Sequence, residues 1–308
     1  MNSEIKNFSC DIETGSCSQT DGQAEIEEIN LAEKDKIKLI YYTDPTCSAC
    51  WAIVPELKKF QLEYGNYFDI EYKMGGLVKT WVGFEDKANG IYKPADVAPH
   101  WDEIGEYSEM SIDGDLWLED PLTSSYPSSI AFKTMQKQGK KIALQYLRRI
   151  REMVFLEKRN ISKEEVLLEA VEYCNADKAK FLKDFHNQDV KQSFYDEINQ
   201  GKEMGVRGFP TLIFINKSGS GFKISGMSGY ANYVSALERA IGKNVVPKKI
   251  NLIEIDLLKR DKFLSTKEIY FILSQDRQKT VLNLEKLEQE GLIKMEPQKF
   301  GQFWRLIE

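Results

Sequence analysis

The chain has 308 residues, enough for one large domain with a smaller companion. Its 42% hydrophobic and 29% charged content is that of a water-soluble globular protein, and a net charge of −6 offers no overall attraction to nucleic acid or anionic lipid. No run of about 18 apolar residues occurs, and the first 35 residues lack the basic-then-apolar order of a secretory leader, so a cytoplasmic protein without a membrane span is expected. Thiols stay reduced in that compartment, which argues against a structural disulfide framework among the five cysteines.

Residues 1–34 are polar and acidic, without periodicity, and read as a flexible tail. Ile37 to Thr43 is a short apolar run that suits a buried strand, broken by Asp44-Pro45-Thr46. From Cys50 the apolar positions Ile53, Leu57, Phe60 and Tyr64 follow helical spacing, and Gly65-Asn66 stops the helix. Tyr67 to Met74 alternates like a second strand. A loop-like stretch with Trp81, Trp101 and Trp117 precedes a mostly helical region over 127–200, where Ser162-x-x-Glu165 reads as a capping box. Strands return at Thr211 to Ile215 and Phe222 to Ile224 around an Asn216-Lys217-Ser218-Gly219 hairpin loop, and Tyr233, Leu237, Ala240 and Ile241 give a closing helix. Lys243 to Lys249 reads as a linker. Beyond it, Ser265-x-x-Glu268 and Asp276 to Gln289 predict two helices, followed by two short β-prone pieces. The expected fold class is therefore α/β: a DsbA-like thioredoxin domain over 35–247 with a helical insert at about 85–205, then a winged-helix-like module over 248–308.

Cys47-Ser48-Ala49-Cys50, between a strand and a helix, is the strongest chemical signal. Two intervening residues place both sulfurs on one helical turn. The helix amino terminus favours a thiolate on Cys47 through its unpaired N–H groups and dipole, which makes Cys47 the expected nucleophile and Cys50 the buried resolving thiol. Pro210, before the third strand, stands where thioredoxin folds carry a cis-proline facing the two cysteines. The Phe209 backbone would then be free to pair with an extended client segment. Neither Ser48 nor Ala49 adds a positive charge, so no strongly oxidising pair is expected.

Cys10 and Cys17 are candidates for a second thiol pair or for holding a metal with outside ligands, but read first as free thiols without fixed structure; a zinc site needs about four ligands, and no bound metal and no cofactor are expected. Cys174 falls on an apolar helix face and reads as an inert core thiol. The three tryptophans suit either a client groove or the core of the insert. The carboxy-terminal module holds 12 basic and 10 acidic residues, with no concentrated basic face, so protein contact rather than nucleic-acid binding is expected.

Several stretches together resemble the cytosolic DsbA-like adaptor proteins called YjbH or SpxH. They are Asp44-Pro45-x-Cys47-x-x-Cys50-Trp51, Gly114-Asp115-Leu116-Trp117, Asp120-Pro121-Leu122-x-Ser124-Ser125-Tyr126, Arg159-Asn160-Ile161, and the terminal Gly301-x-Phe303-Trp304-x-x-Ile307-Glu308. The resemblance implies an adaptor that binds the redox-stress transcription regulator Spx and promotes its degradation by the ClpXP protease, with Trp51 and Phe209 as partner-contact candidates. Family members carry a Cys/His-rich, zinc-binding amino-terminal region; here Cys10 and Cys17 have no histidine beside them. A thiol–disulfide oxidoreductase acting through Cys47 and Cys50 is the alternative.

Overall fold

The computed structural model describes residues 7–10, 17–20, 36–87 and 89–307. Residues 1–36 form a unit of their own. In it, strands β1 (Asn7–Cys10) and β2 (Cys17–Thr20) pair antiparallel with Cys10 opposite Cys17. Strands of four residues are too short for alternation to be read in the sequence.

Residues 37–308 form the second unit. Its sheet is built on β3 (Ile37–Thr43), which is parallel to β4 (Phe68–Met74). The crossover between them is α1 (Ser48–Ala52) and α2 (Val54–Tyr64). One helix was expected there; Pro55, with no N–H to donate, divides it at Ile53. On its other side β3 pairs antiparallel with β5 (Thr211–Ile215), which pairs with β6 (Gly221–Ser225), giving the order β4-β3-β5-β6. The β5–β6 loop is held by Asn216, whose Oδ1 accepts from the amides of Ser218 and Ser220 at 3.1 and 2.9 Å. Helix α2 and the closing helix, residues Tyr230–Ile241, bury Phe60, Tyr64, Tyr233 and Leu237 against Phe68 and Phe214. Phe60 stacks on Phe68 at 5.0 Å and meets Phe214 edge-on.

The insert between β4 and β5 comprises α3 (Val97–Ser108), α4 (Leu116–Glu119), α5 (Tyr126–Gln136), α6 (Lys140–Phe155), α7 (Glu164–Tyr173), α8 (Lys178–Phe185) and α9 (Gln188–Glu203). Two of these helices lie in the tryptophan stretch read as a loop. Trp101 and Trp117 are buried edge-to-face at 5.2 Å, with Trp81 against Trp117 at 5.5 Å, so the three pack the insert core rather than line a groove. The expected Ser162 cap also fails: Lys163 is the N-cap of α7, and the Ser162 hydroxyl donates to Asn160 Oδ1 instead.

The closing helix is α10, and after it come α11 (Glu254–Asp261), β7 (Phe263–Ser265), α12 (Thr266–Leu273), α13 (Arg277–Gln289), β8 (Ile293–Pro297) and β9 (Gln302–Leu306). A helix and a strand beyond the sequence reading are present, and the sheet order is β7-β9-β8. The Ser265–Glu268 capping box does form: Ser265 Oγ accepts from the Glu268 amide, and the Ser265 amide donates to Glu268 Oε2, both at 3.0 Å. This terminal unit has its own core of Leu257, Leu264, Ile269, Leu284 and Trp304. Phe263 and Phe303, however, belong to the core of the insert.

Candidate functional site

One carboxylate ties the loop from β3 to α1 to itself and to the insert. Asp44 is fully buried. Its Oδ1 accepts from the Thr46 amide and hydroxyl at 2.9 and 2.8 Å. Its Oδ2 reaches across to the insert, accepting from the Leu77 amide at 2.9 Å and from the hydroxyls of Ser125 and Ser129 at 3.0 and 3.3 Å. Burial pushes this carboxyl above its ordinary range, with those hydrogen bonds opposing the shift.

Cys47 is the N-cap of α1, in extended backbone conformation, and its Sγ accepts from the Cys50 amide at 3.1 Å. The sulfur thus takes the place that a Ser or Asp oxygen usually fills at a helix start. Both thiols are buried: Cys47 is 5% exposed and Cys50 not at all. Burial pushes the Cys47 thiol well up, and the hydrogen bond it gives Cys50 adds to this. Against its own burial, Cys50 is drawn down by that hydrogen bond and by the charge of Arg151. The positive charge of Arg151 acts on the Cys50 side of the pair. At Cys47, burial opposes the thiolate that the helix start favours.

Arg151, on α6, had no signal in the sequence. Its Nη2 donates to Thr43 Oγ1 at 2.5 Å and to the Asp44 carbonyl at 3.2 Å, which ties the insert to the end of β3. It is buried and has no carboxylate partner among the described residues. Its spacing on an amphipathic helix could have flagged it as an inward arginine, but nothing local assigns it to the cysteines.

The Phe209–Pro210 bond is cis. Thr211 lies opposite Tyr42, so Pro210 stands beside Thr43, at the strand end from which the Cys47 loop departs. The Phe209 ring covers Gly75, where an added Cβ would fall 1.8 Å from its Cζ. Gly75→Ala is expected to destabilise the fold by about 2 kcal/mol through overpacking. Urea unfolding checks this, and Phe209→Ala in the same chain should recover part of the loss.

Trp51, expected to touch a partner, is instead fully buried. Its ring stacks on Phe155 at 5.6 Å and runs parallel to Phe303 of the terminal unit at 6.5 Å, and the Arg148 guanidinium lies over it at 4.5 Å. Its Nε1 donates to the Ser111 carbonyl at 3.1 Å. Arg148 in turn donates to both Glu268 oxygens at 2.8 and 3.1 Å, to the Phe263 carbonyl, and to Glu152 at 2.6 Å. Lys58 of α2 completes the cluster at 3.2 Å from Glu268. The residue next to Cys50 is therefore clamped between the insert and the terminal unit.

Cys174 is the half-buried C-cap of α7 rather than a core thiol, and burial pushes it up to about 11. The side chains of Cys10 and Cys17, named above as metal candidates, lie outside the described residues. Among the described residues, no cluster of three metal-ligating side chains occurs.

A family model described as thioredoxin matches residues 41–235. A relative from Halalkalibacterium halodurans, named ClpXP adapter protein SpxH, is 32% identical over 97% of this chain and 97% of its own. A Bacillus subtilis protein of the same name is 29% identical over 89% of this chain and 90% of its own. Among solved structures, the cytosolic disulfide reductase DsbM from Pseudomonas aeruginosa superposes with a TM-score of 0.51 and 21% identity, covering 67% of this chain and 95% of that one, which shows the fold alone. The sequence match runs through the thioredoxin domain, its insert and the terminal unit alike, and on that extent the chain belongs to the SpxH family of ClpXP adapter proteins, with a thioredoxin-family domain at its centre.

Proposed function

We propose that this protein is a cytoplasmic adaptor that binds an Spx-like redox-stress regulator and promotes its degradation by ClpXP. The observation that carries this reading is the match to adaptors over 97% of the chain, terminal unit included. An adaptor needs rigid surfaces that hold a client near the unfoldase, because tethering raises the effective concentration without new chemistry. The clamped Trp51 and the secluded thiols suit such a scaffold better than an exchange site open to clients. In this reading the terminal unit is a winged-helix-like contact module, and Phe209, half-exposed beside the cis-proline, is a client contact. No helix among the described residues is long and apolar enough to cross a membrane.

The test is reconstituted degradation of a purified Spx-like regulator by ClpXP. A Cys47→Ser/Cys50→Ser protein is expected to accelerate degradation as the wild type does. Loss of acceleration in a variant that still folds would overturn the adaptor reading.

A second reading, thiol–disulfide exchange, is favoured by the helix-capping sulfur of Cys47, the cis-proline beside it and the Arg151 charge near Cys50. Cys47 thiolate would attack a client disulfide, releasing one client thiolate, and Cys50 would then displace the second client sulfur, leaving the pair oxidised. A Cys50→Ala variant should trap clients through Cys47 if this occurs; an empty trap removes the reading.

A further inference from the structure

Beside Trp51, residues of the thioredoxin domain, the insert and the terminal unit line a half-open cavity of about 870 Å³. That size accommodates an organic molecule of ordinary ligand dimensions. One face of α6 lines it: Lys141, Leu144, Arg148 and Arg151 recur at spacings of three and four residues. Leu57 faces it from α2 and Phe263 from β7, so apolar walls alternate with charged ones.

The charge around this cavity is unbalanced. Eight lysine and arginine side chains contribute to its walls, against the carboxylates of Glu152 and Asp261. Several cations are paired: Lys58 and Arg148 with Glu268, Arg149 with Glu157, Arg260 with Asp261, and Arg305 with Glu296. Arg151 and Lys141 have no acidic partner among the described residues. For Arg151 this is costly, because it is only 4% exposed and its Nε is buried with no hydrogen-bond acceptor. Arg149 Nε is in the same condition. An unpaired buried guanidinium costs several kcal/mol, and proteins normally supply a counter-charge. The Cys50 sulfur supplies one only while it is ionised.

We propose that the cavity binds an amphipathic organic anion. Its carboxylate, phosphate or sulfonate group sits at the Arg151 end, and its apolar body lies along Leu144, Leu57 and Phe263. Lys141, on the same face of α6 and about 15 Å away along its axis at the standard rise per residue, is exposed and draws the anion in. Because the walls come from all three parts of the chain, occupancy ties the terminal unit more firmly to the two others.

Two fluorescent probes with one body separate charge from apolar burial: 8-anilinonaphthalene-1-sulfonate and its neutral analogue N-phenyl-1-naphthylamine. With the full-length protein, the sulfonate should bind at one saturable site about ten-fold more tightly than the neutral probe, as a charge-assisted hydrogen bond implies. Saturation should raise the melting temperature. It should also protect Cys174, which lines the cavity, from alkylation by iodoacetamide at alkaline pH, read by peptide mass mapping. Lys141→Glu, at an exposed position, should weaken the sulfonate and leave the neutral probe and the melting temperature of the free protein unchanged. Equal affinity for the two probes, several non-saturating sites, or unhindered alkylation of Cys174 at saturation would each overturn the proposal.

Discussion

Replacing Arg148 by methionine is expected to lower unfolding free energy at pH 7 by about 3 kcal/mol, the low end of what breaking a buried ion cluster costs. The low end applies because Lys58 still faces Glu268 at 3.2 Å and Arg149 still lies 3.7 Å from Glu152. What is lost is the fork that holds both Glu268 oxygens, the bond to Glu152 and the cation over Trp51. The pH dependence gives the sharper signature. Despite its burial, Glu268 is held down to about 2 by the charges of Arg148 and Lys58. A carboxylate with a depressed folded-state value contributes stability that is fully present above its ordinary range near 4.5 and is lost as pH falls through 2. The depression corresponds to about 3 kcal/mol. Wild type should therefore lose stability steeply between those values, and the Arg148→Met protein should lose far less, since its Glu268 no longer has that value to give up. Urea unfolding at pH 7, 4.5 and 3 for both proteins checks this. Parallel pH profiles would show that Arg148 does not set the Glu268 charge.

Trp51→Ala is expected to cost about 4 kcal/mol, in the range for deleting a large aromatic from a packed core. The effect should be unevenly distributed. The indole has Phe155 and Arg148 of the insert on it and Phe303 of the terminal unit parallel to it, so its loss removes the shared surface between the two. Limited proteolysis should cut residues 248–308 earlier than the thioredoxin domain, and amide exchange should rise first at β7 and β9. Trp51→Phe keeps the stacking and loses the Nε1 bond to Ser111, so it should retain more than half of the lost stability. Uniform loss of protection across the whole chain would mean that Trp51 supports the core generally and does not clamp the terminal unit.

The same residue shows where sequence reading stops. As the neighbour of Cys50 in a family-like stretch, Trp51 looks like a contact for partners; only the return of Phe303, some 250 positions later, shows it to be occupied. The helix start that favours a thiolate on Cys47 is local and visible, whereas the burial that opposes it is a property of the folded chain. Cys174 is less buried than its apolar spacing implies for a simpler reason: its helix ends one residue before it.

The four sheet strands, the capping position of Cys47, the Ser265–Glu268 box and the place of the cis-proline can all be read from the order of residues. The strands, cap and box depend on apolar patterns or hydrogen bonds within a few residues, which are written in adjacent positions, and the proline is legible from its place before the third strand. Tertiary structure alone decided which charges meet. Arg148, Glu268 and Lys58, like Arg151 and Cys50, are brought together by a fold that joins segments about a hundred or more residues apart. Their protonation follows from burial and from each other, and no single stretch of chain encodes either.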